Sequence, residues 1–203
     1  GSAKSTICRM LRRLFDPHEA DLRPLSDSER ELLIAARNSG ILGFDNLSTI
    51  PPWLADALCR IASGSGFASR QLYSDTRQTV FNVRRSILLN GIPAELFTRE
   101  DLRDRAIVVN SPPIDEERRR PERDLWITYD QLRPRVLGAL LTAVSGGLKR
   151  WRSIHLTRLP RMSDYFQFAV AAELKLPWPP GSFAKAYEHD RVSANESAIE
   201  NSV

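Results

Sequence analysis

The residues best suited to chemistry stand at the very start of the chain. Gly1-Ser2-Ala3-Lys4-Ser5-Thr6 runs directly into an apolar, Arg-rich pattern at helical spacing, with Ile7, Cys8, Met10, Leu11 and Leu14. A small-residue turn ending in Lys-Ser and opening a helix suits phosphate: free backbone N–H groups and the positive end of the helix dipole both face an anion there. Lys4 would neutralise β- and γ-phosphate charge, and Ser5 would offer its hydroxyl to Mg²⁺. Only the end of the phosphate-loop pattern G-x-x-x-x-G-K-[ST] is matched. Gly1 counts as an internal glycine of the loop, and Ala3 stands where the last glycine usually does. The first glycine and the strand before it are therefore expected upstream. Gly-Ser is also a common vector-derived leader.

Three short apolar runs follow that could bring polar groups to the same place. Ile41-Leu42-Gly43-Phe44 closes on Asp45-Asn46, Ile87-Leu88-Leu89 closes on Asn90-Gly91, and Ala106-Ile107-Val108-Val109 is entered from Arg105. In an open α/β sheet, ligands collect at the carboxyl ends of the strands. Asp45 could there hold Mg²⁺, and Asn90 could orient a water. Each feature also has an ordinary reading, because Asp-Asn and Asn-Gly are common turn dipeptides and an arginine before a strand is usually solvated.

Taken in order, these residues resemble an AAA+ type P-loop ATPase, most closely the helicase-like ATPases of phages, plasmids and integrated elements that occur beside or fused to primases. The matching stretches are residues 1–6, 41–48, 87–91 and 102–107, with Leu159-Pro160-Arg161-Met162-Ser163-Asp164-Tyr165 resembling a motif of the helical part. The resemblance implies an α/β fold: a parallel-sheet P-loop core lacking its first strand, followed by a C-terminal helical lid. It implies ATP and Mg²⁺ as cofactors, held by Gly1, Ser2, Ala3, Lys4, Ser5, Thr6 and Arg161, with Ser5 and Asp45 at the metal. Lys4, Asp45, Asn46, Asn90 and Arg105 would be catalytic. Asn90 takes the sensor-one position, and Arg105, with Arg103 as substitute, takes that of the arginine finger reaching a neighbouring subunit. Arg161 becomes the lid arginine. Arg70 and Arg77 would contact DNA from a hairpin, which is equally readable as a plain surface hairpin. DNA and a homo-oligomeric ring are the implied partners.

One departure bears on mechanism. The position after the metal-binding Asp is usually acidic, and here it is Asn46, which can orient water but is a poor base. The expected activity is ATP hydrolysis driving element replication, with weak or absent nucleotide binding by these residues alone. The competing expectations are a degenerate nucleotide- or DNA-binding assembly module, and a nucleic-acid-binding helical module with no nucleotide chemistry.

The elements that must position these groups can be read coarsely. Helices are expected over residues 4–15, from a Ser26-x-x-Glu29 capping box to about 38, from Pro51-Pro52 onward, over 125–144 and 162–176, and briefly over 183–187. Residues 20–25 read as a short extended segment, 70–73 and 79–83 as a hairpin, and Thr98 as the cap of a short helix. Gly146-Gly147 is expected to interrupt or end the long helix. The predicted organisation is a core over 1–114, a helical region over 115–190 and a disordered tail over 191–203.

Composition sets the outer bounds. The 203 residues are 42% hydrophobic and 27% charged, the balance of an ordinary globular protein. No run approaches the roughly 18 apolar residues that span a bilayer. Cys8 and Cys59 are too few for a disulfide framework or a metal cluster and fit a reducing cytoplasm. His18, His155 and His189 are scattered and receive no role. A net charge of +4 permits a polyanion partner without requiring one. Arg118-Arg119-Arg120 is interleaved with acids and reads as a solvated connector.

Overall fold

The computed structural model describes residues 2–64, 67–70, 78–91 and 99–200, with side chains except those of 67–70, 78–81 and 193–200. The chain divides into two compact units, Gly1–Leu102 and Arg103–Val203. The division falls earlier than the expected boundary at 114. The expected strand over 106–109 does not form: that segment is irregular, with Ile107 and Val109 exposed. Length and β-branching made it look like a buried strand, but a strand also needs a hydrogen-bonded neighbour. The apolar contacts of the first unit end instead with Leu102, buried near Ala55 and Cys59.

In the first unit, α1 (Lys4–Phe15) leads through an extended segment to α2 (Glu29–Arg37), β1 (Ile41–Leu47), α3 (Pro52–Ser63), a hairpin of β2 (Phe67–Arg70) and β3 (Gln78–Phe81), β4 (Ser86–Gly91) and a one-turn α4 (Glu100–Arg103). The cap of α2 is Ser28, whose Oγ accepts from the Glu31 amide at 3.3 Å, two residues beyond the expected Ser26. β1 and β4 are parallel and in register from Ile41↔Ser86 to Phe44↔Leu89. Parallel neighbours need a long crossover, and α3 with the hairpin supplies it.

The extended segment joins the other edge of β1 through a parallel bridge between Arg23 and Phe44. Gly43 makes this close approach possible: a Cβ there would lie 2.7 Å from Leu22 Cδ2 and 3.0 Å from the Asp21 carbonyl oxygen. The core lies between the sheet and the helices, with Leu32, Ala36, Leu42, Phe44, Leu54, Leu58 and Ile61 fully buried.

The end of α1 is pinned to the start of β1. Arg12 is buried and sits 3.2 Å from Asp16, whose Oδ2 accepts from the Ile41 amide at 2.8 Å. Burial lowers the Arg12 pKa, and the Asp16 charge opposes that shift.

In the second unit, a 3-10 turn (Glu116–Arg118) precedes α5 (Glu122–Arg150), a second 3-10 turn (Trp151–Ser153), α6 (Ser163–Glu173) and α7 (Ser182–Glu200). α5 does not stop at Gly146-Gly147 but runs through them. A Cβ on Gly147 would meet the Phe168 ring at 3.0 Å, and one on Gly146 would clash with Lys175 Cγ. Both glycines are thus places of close approach, where packing against α6 and the turn after it offsets their low helix propensity. α7 is also longer than the short helix expected over 183–187, with its backbone helical to Glu200. Its start is held by Glu173, 2% exposed, whose carboxylate accepts from the amides of Gly181 at 3.1 Å and Phe183 at 2.6 Å. Phe166, Phe183 and Tyr187 stack beside it with ring centroids 5.2–5.8 Å apart.

Candidate functional site

The carboxyl ends of β1 and β4 lie side by side because the two strands are parallel and in register. Asp45 follows Phe44 and Asn90 follows Leu89, the last pair before a bulge, and pairing resumes at Leu47↔Gly91. β1 is bulged between Phe44 and Leu47, and Asn46 adopts φ 54°, the left-handed region that asparagine tolerates better than most residues. A bulge turns a side chain out of the regular alternation. The Asn46 amide donates to Asp45 Oδ1 at 3.0 Å, which fixes the carboxylate at the strand end.

The first turn of α1 meets this pair. Ser5 Oγ donates to Asp45 Oδ1 at 2.9 Å. Asn90 Nδ2 donates to Ser5 Oγ at 2.9 Å and makes a second, short hydrogen bond to Asp45 Oδ1. Lys4 Nζ donates to the carbonyl of Gly91, the last residue of β4, at 3.1 Å. An ammonium, a hydroxyl, a carboxylate and a carboxamide therefore converge where α1 begins and two strands end. Asn90 is 6% exposed, so its amide is committed to this network. Ala3, the residue before α1, has φ 52° and ψ 24°.

Cys8 lies one turn further along α1 and is half-buried. Burial pushes its thiol pKa up from 9.0, and the negative charge of Asp45 pushes it further. The cysteine belongs to the neighbourhood of the site, a connection that its apolar setting in the sequence did not reveal.

The remaining expected residues lie beside Lys4 and Ser5, on other elements, or outside the described set. Ser2 and Thr6 flank Lys4 and Ser5 at the start of α1, whereas Gly1 lies outside the described residues. Arg70 is on β2 with no side chain described, Arg77 and Thr98 lie outside the described residues, and the pairing of β2 with β3 is antiparallel as a hairpin requires. Arg105 occupies the turn after α4. Arg161 pairs with Asp104 at 3.6 Å, and Asp104 also accepts from Arg191 at 3.2 Å. Among the described residues no group of three or more His, Cys, Asp or Glu side chains could enclose a metal ion. No described helix is long and apolar enough to cross a membrane.

A family model described as the actinomycete integrative conjugative element replication protein matches residues 1–173. The chain belongs to this family. It is thus a replication protein of a mobile element, and the match takes in the whole α1–β1–β4 constellation. No curated protein matches the chain, and neither does any solved structure. For this replication protein, Glu173 is a structural residue that the sequence did not expose. An acid at the end of an apolar helix reads as solvated, and its partners are amides eight and ten residues further on.

Proposed function

We propose that this replication protein is an ATP-hydrolysing, helicase-like motor that acts on DNA during replication of its element. The observation that carries the reading is the convergence of Lys4, Ser5, Asp45 and Asn90 at one helix N-terminus and two parallel strand ends. A triphosphate at the head of α1 would receive the helix N–H groups, and Lys4 would exchange the Gly91 carbonyl for phosphate oxygens. The oxygens of Ser5 and Asp45, 2.9 Å apart, form a hard donor pair of the kind Mg²⁺ shares with phosphates and water. When bound, that ion supplies charge neutralisation on the phosphates. Asn90 would orient the attacking water, and Arg105 would stabilise transition-state charge in a neighbouring subunit of a ring.

The reading is tested by steady-state ATP turnover with and without single-stranded DNA, alongside Lys4→Ala and Arg105→Ala. DNA-stimulated turnover that falls at least about 100-fold in both variants supports it. Nucleotide-independent behaviour in all three proteins refutes it.

A second reading, a non-hydrolysing nucleotide- or DNA-binding assembly module, draws support from the left-handed Asn46. Its side chain replaces the usual acid, and its backbone N–H donates to Asp45 Oδ1. ATP binding without turnover would favour this reading.

A further inference from the structure

From Gln131 to Ser163 the chain contains no Asp or Glu, yet it carries Lys149, Arg150, Arg152 and Arg158 within ten positions. All four are exposed. None of them has an ion-pair partner among the described residues, whereas Arg119 pairs with Glu116 and Arg161 with Asp104. Cations in a last helical turn ordinarily answer the negative end of the helix dipole. That accounts for Lys149 and Arg150 at the end of α5 but not for Arg152 and Arg158, which lie beyond it. The segment carrying them is anchored: Gln167 Nε2 on α6 donates to the Ile154 carbonyl at 2.5 Å, so the charges sit on a fixed strap. Trp151 is half-buried with the Arg152 guanidinium 5.4 Å from its ring centroid, a planar cation–aromatic pair on which a base can stack.

We propose that Lys149, Arg150, Arg152 and Arg158 form a backbone-binding surface for single-stranded nucleic acid on the second unit, with Trp151 as its stacking face. Uncompensated exposed cations on a rigid strap gain most from a dense line of phosphates, because each neutralised phosphate releases a counterion. This surface uses other residues than the hairpin arginines and does not depend on nucleotide chemistry.

The test is fluorescence anisotropy of the full chain with a labelled oligothymidylate of about 20 nucleotides, with no ATP present and over a range of salt. The combined Lys149→Gln, Arg150→Gln, Arg152→Gln, Arg158→Gln variant should lose at least about tenfold in affinity at about 0.1 M salt. Its slope of log affinity against log salt should also flatten by about 2–3. Arg152→Gln with Arg158→Gln, both outside a long helix, serves as a second variant and should lose about half as much in slope. Arg118→Gln with Arg119→Gln and Arg120→Gln removes similar charge from the acid-interleaved run and should change affinity less than about threefold. An unchanged slope in the double variant would overturn the proposal. So would tighter binding of the wild-type chain to phosphatidylserine vesicles than to the oligonucleotide. Because no nucleotide is added, the outcome is independent of whether the chain hydrolyses ATP.

Discussion

Asn90 Nδ2 donates to Ser5 Oγ at 2.9 Å, joining the end of β4 to the first turn of α1 across 85 residues of sequence. Ser5 passes a hydrogen bond on to Asp45 at the same distance, so side chains tie α1 to two strands that a backbone ladder already joins. Removing the acceptor at the centre leaves the buried Asn90 amide short of a partner. Asp45→Ala is expected to cost about 1–3 kcal/mol of stability. Asp45→Asn keeps an acceptor oxygen and should cost less. Thermal or urea denaturation of both variants gives the comparison, and equal losses would mean that the acceptor oxygen retained in Asp45→Asn does not stabilise the fold.

Cys8 provides a chemical probe of the same place. Its thiol is held protonated, chiefly by burial and secondarily by the Asp45 charge. Iodoacetamide should therefore modify Cys8 more slowly in the folded chain than in urea at pH 8, read by peptide mass spectrometry, and Asp45→Asn should speed the reaction modestly. The sign for stability follows by linkage. A folded-state thiol pKa above the unfolded 9.0 means that the native protein retains a proton the unfolded chain gives up. The contribution is full below pH 9 and is lost as pH rises through the folded value.

Two glycines make opposite predictions. A methyl on Gly43 would collide with a backbone oxygen at 3.0 Å as well as Leu22, and the bridge from Arg23 to Phe44 leaves that segment little room to retreat. Gly43→Ala should destabilise by about 1–3 kcal/mol, in the manner of overpacking. Gly138, in the middle of α5, has nothing within 4 Å of its notional Cβ. Gly138→Ala should stabilise by about 0.5–1 kcal/mol through helix propensity alone. Chemical denaturation measures both.

Ala3 holds a backbone conformation that glycine adopts freely, with φ 52° immediately before α1. Left-handed geometry costs an L-residue about 1–2 kcal/mol, and glycine's greater unfolded-state entropy recovers part of that for the wild type. Ala3→Gly should therefore raise stability by roughly 0.5–1 kcal/mol. The same substitution restores the glycine of the phosphate-loop pattern, so under the proposed ATPase reading nucleotide affinity measured by titration calorimetry should rise with it.

What the sequence revealed depended on whether a signal was local. α1, β1 and β4 could be read because an apolar run bounded by polar turn residues carries its own boundaries. The order of Lys4-Ser5, Asp45 and Asn90 along those elements was enough to bring the four groups together once two strands ran parallel. Residues 106–109 had the same local signature and formed no strand, since pairing is a property of the neighbour. Gly146-Gly147 looked like a break because their compensation, Phe168 on α6 and Lys175 in the turn after it, lies some twenty to thirty residues further along the chain. The Ser28 cap was missed in favour of Ser26 because both serines precede the same helix within one turn. The cations after Lys149 were dispersed enough in the sequence to escape notice, and the structure isolates them by showing which arginines are already paired.

The Glu173 carboxylate couples the fates of two segments. It ends α6 and, through the amides of Gly181 and Phe183, starts α7. Fraying at either junction would strand a buried negative charge, so neither helix can peel away alone at low cost. Deuterium should therefore enter the amides of Gly181 and Phe183 no faster than those of the α6 interior, marking the pair as one cooperative block.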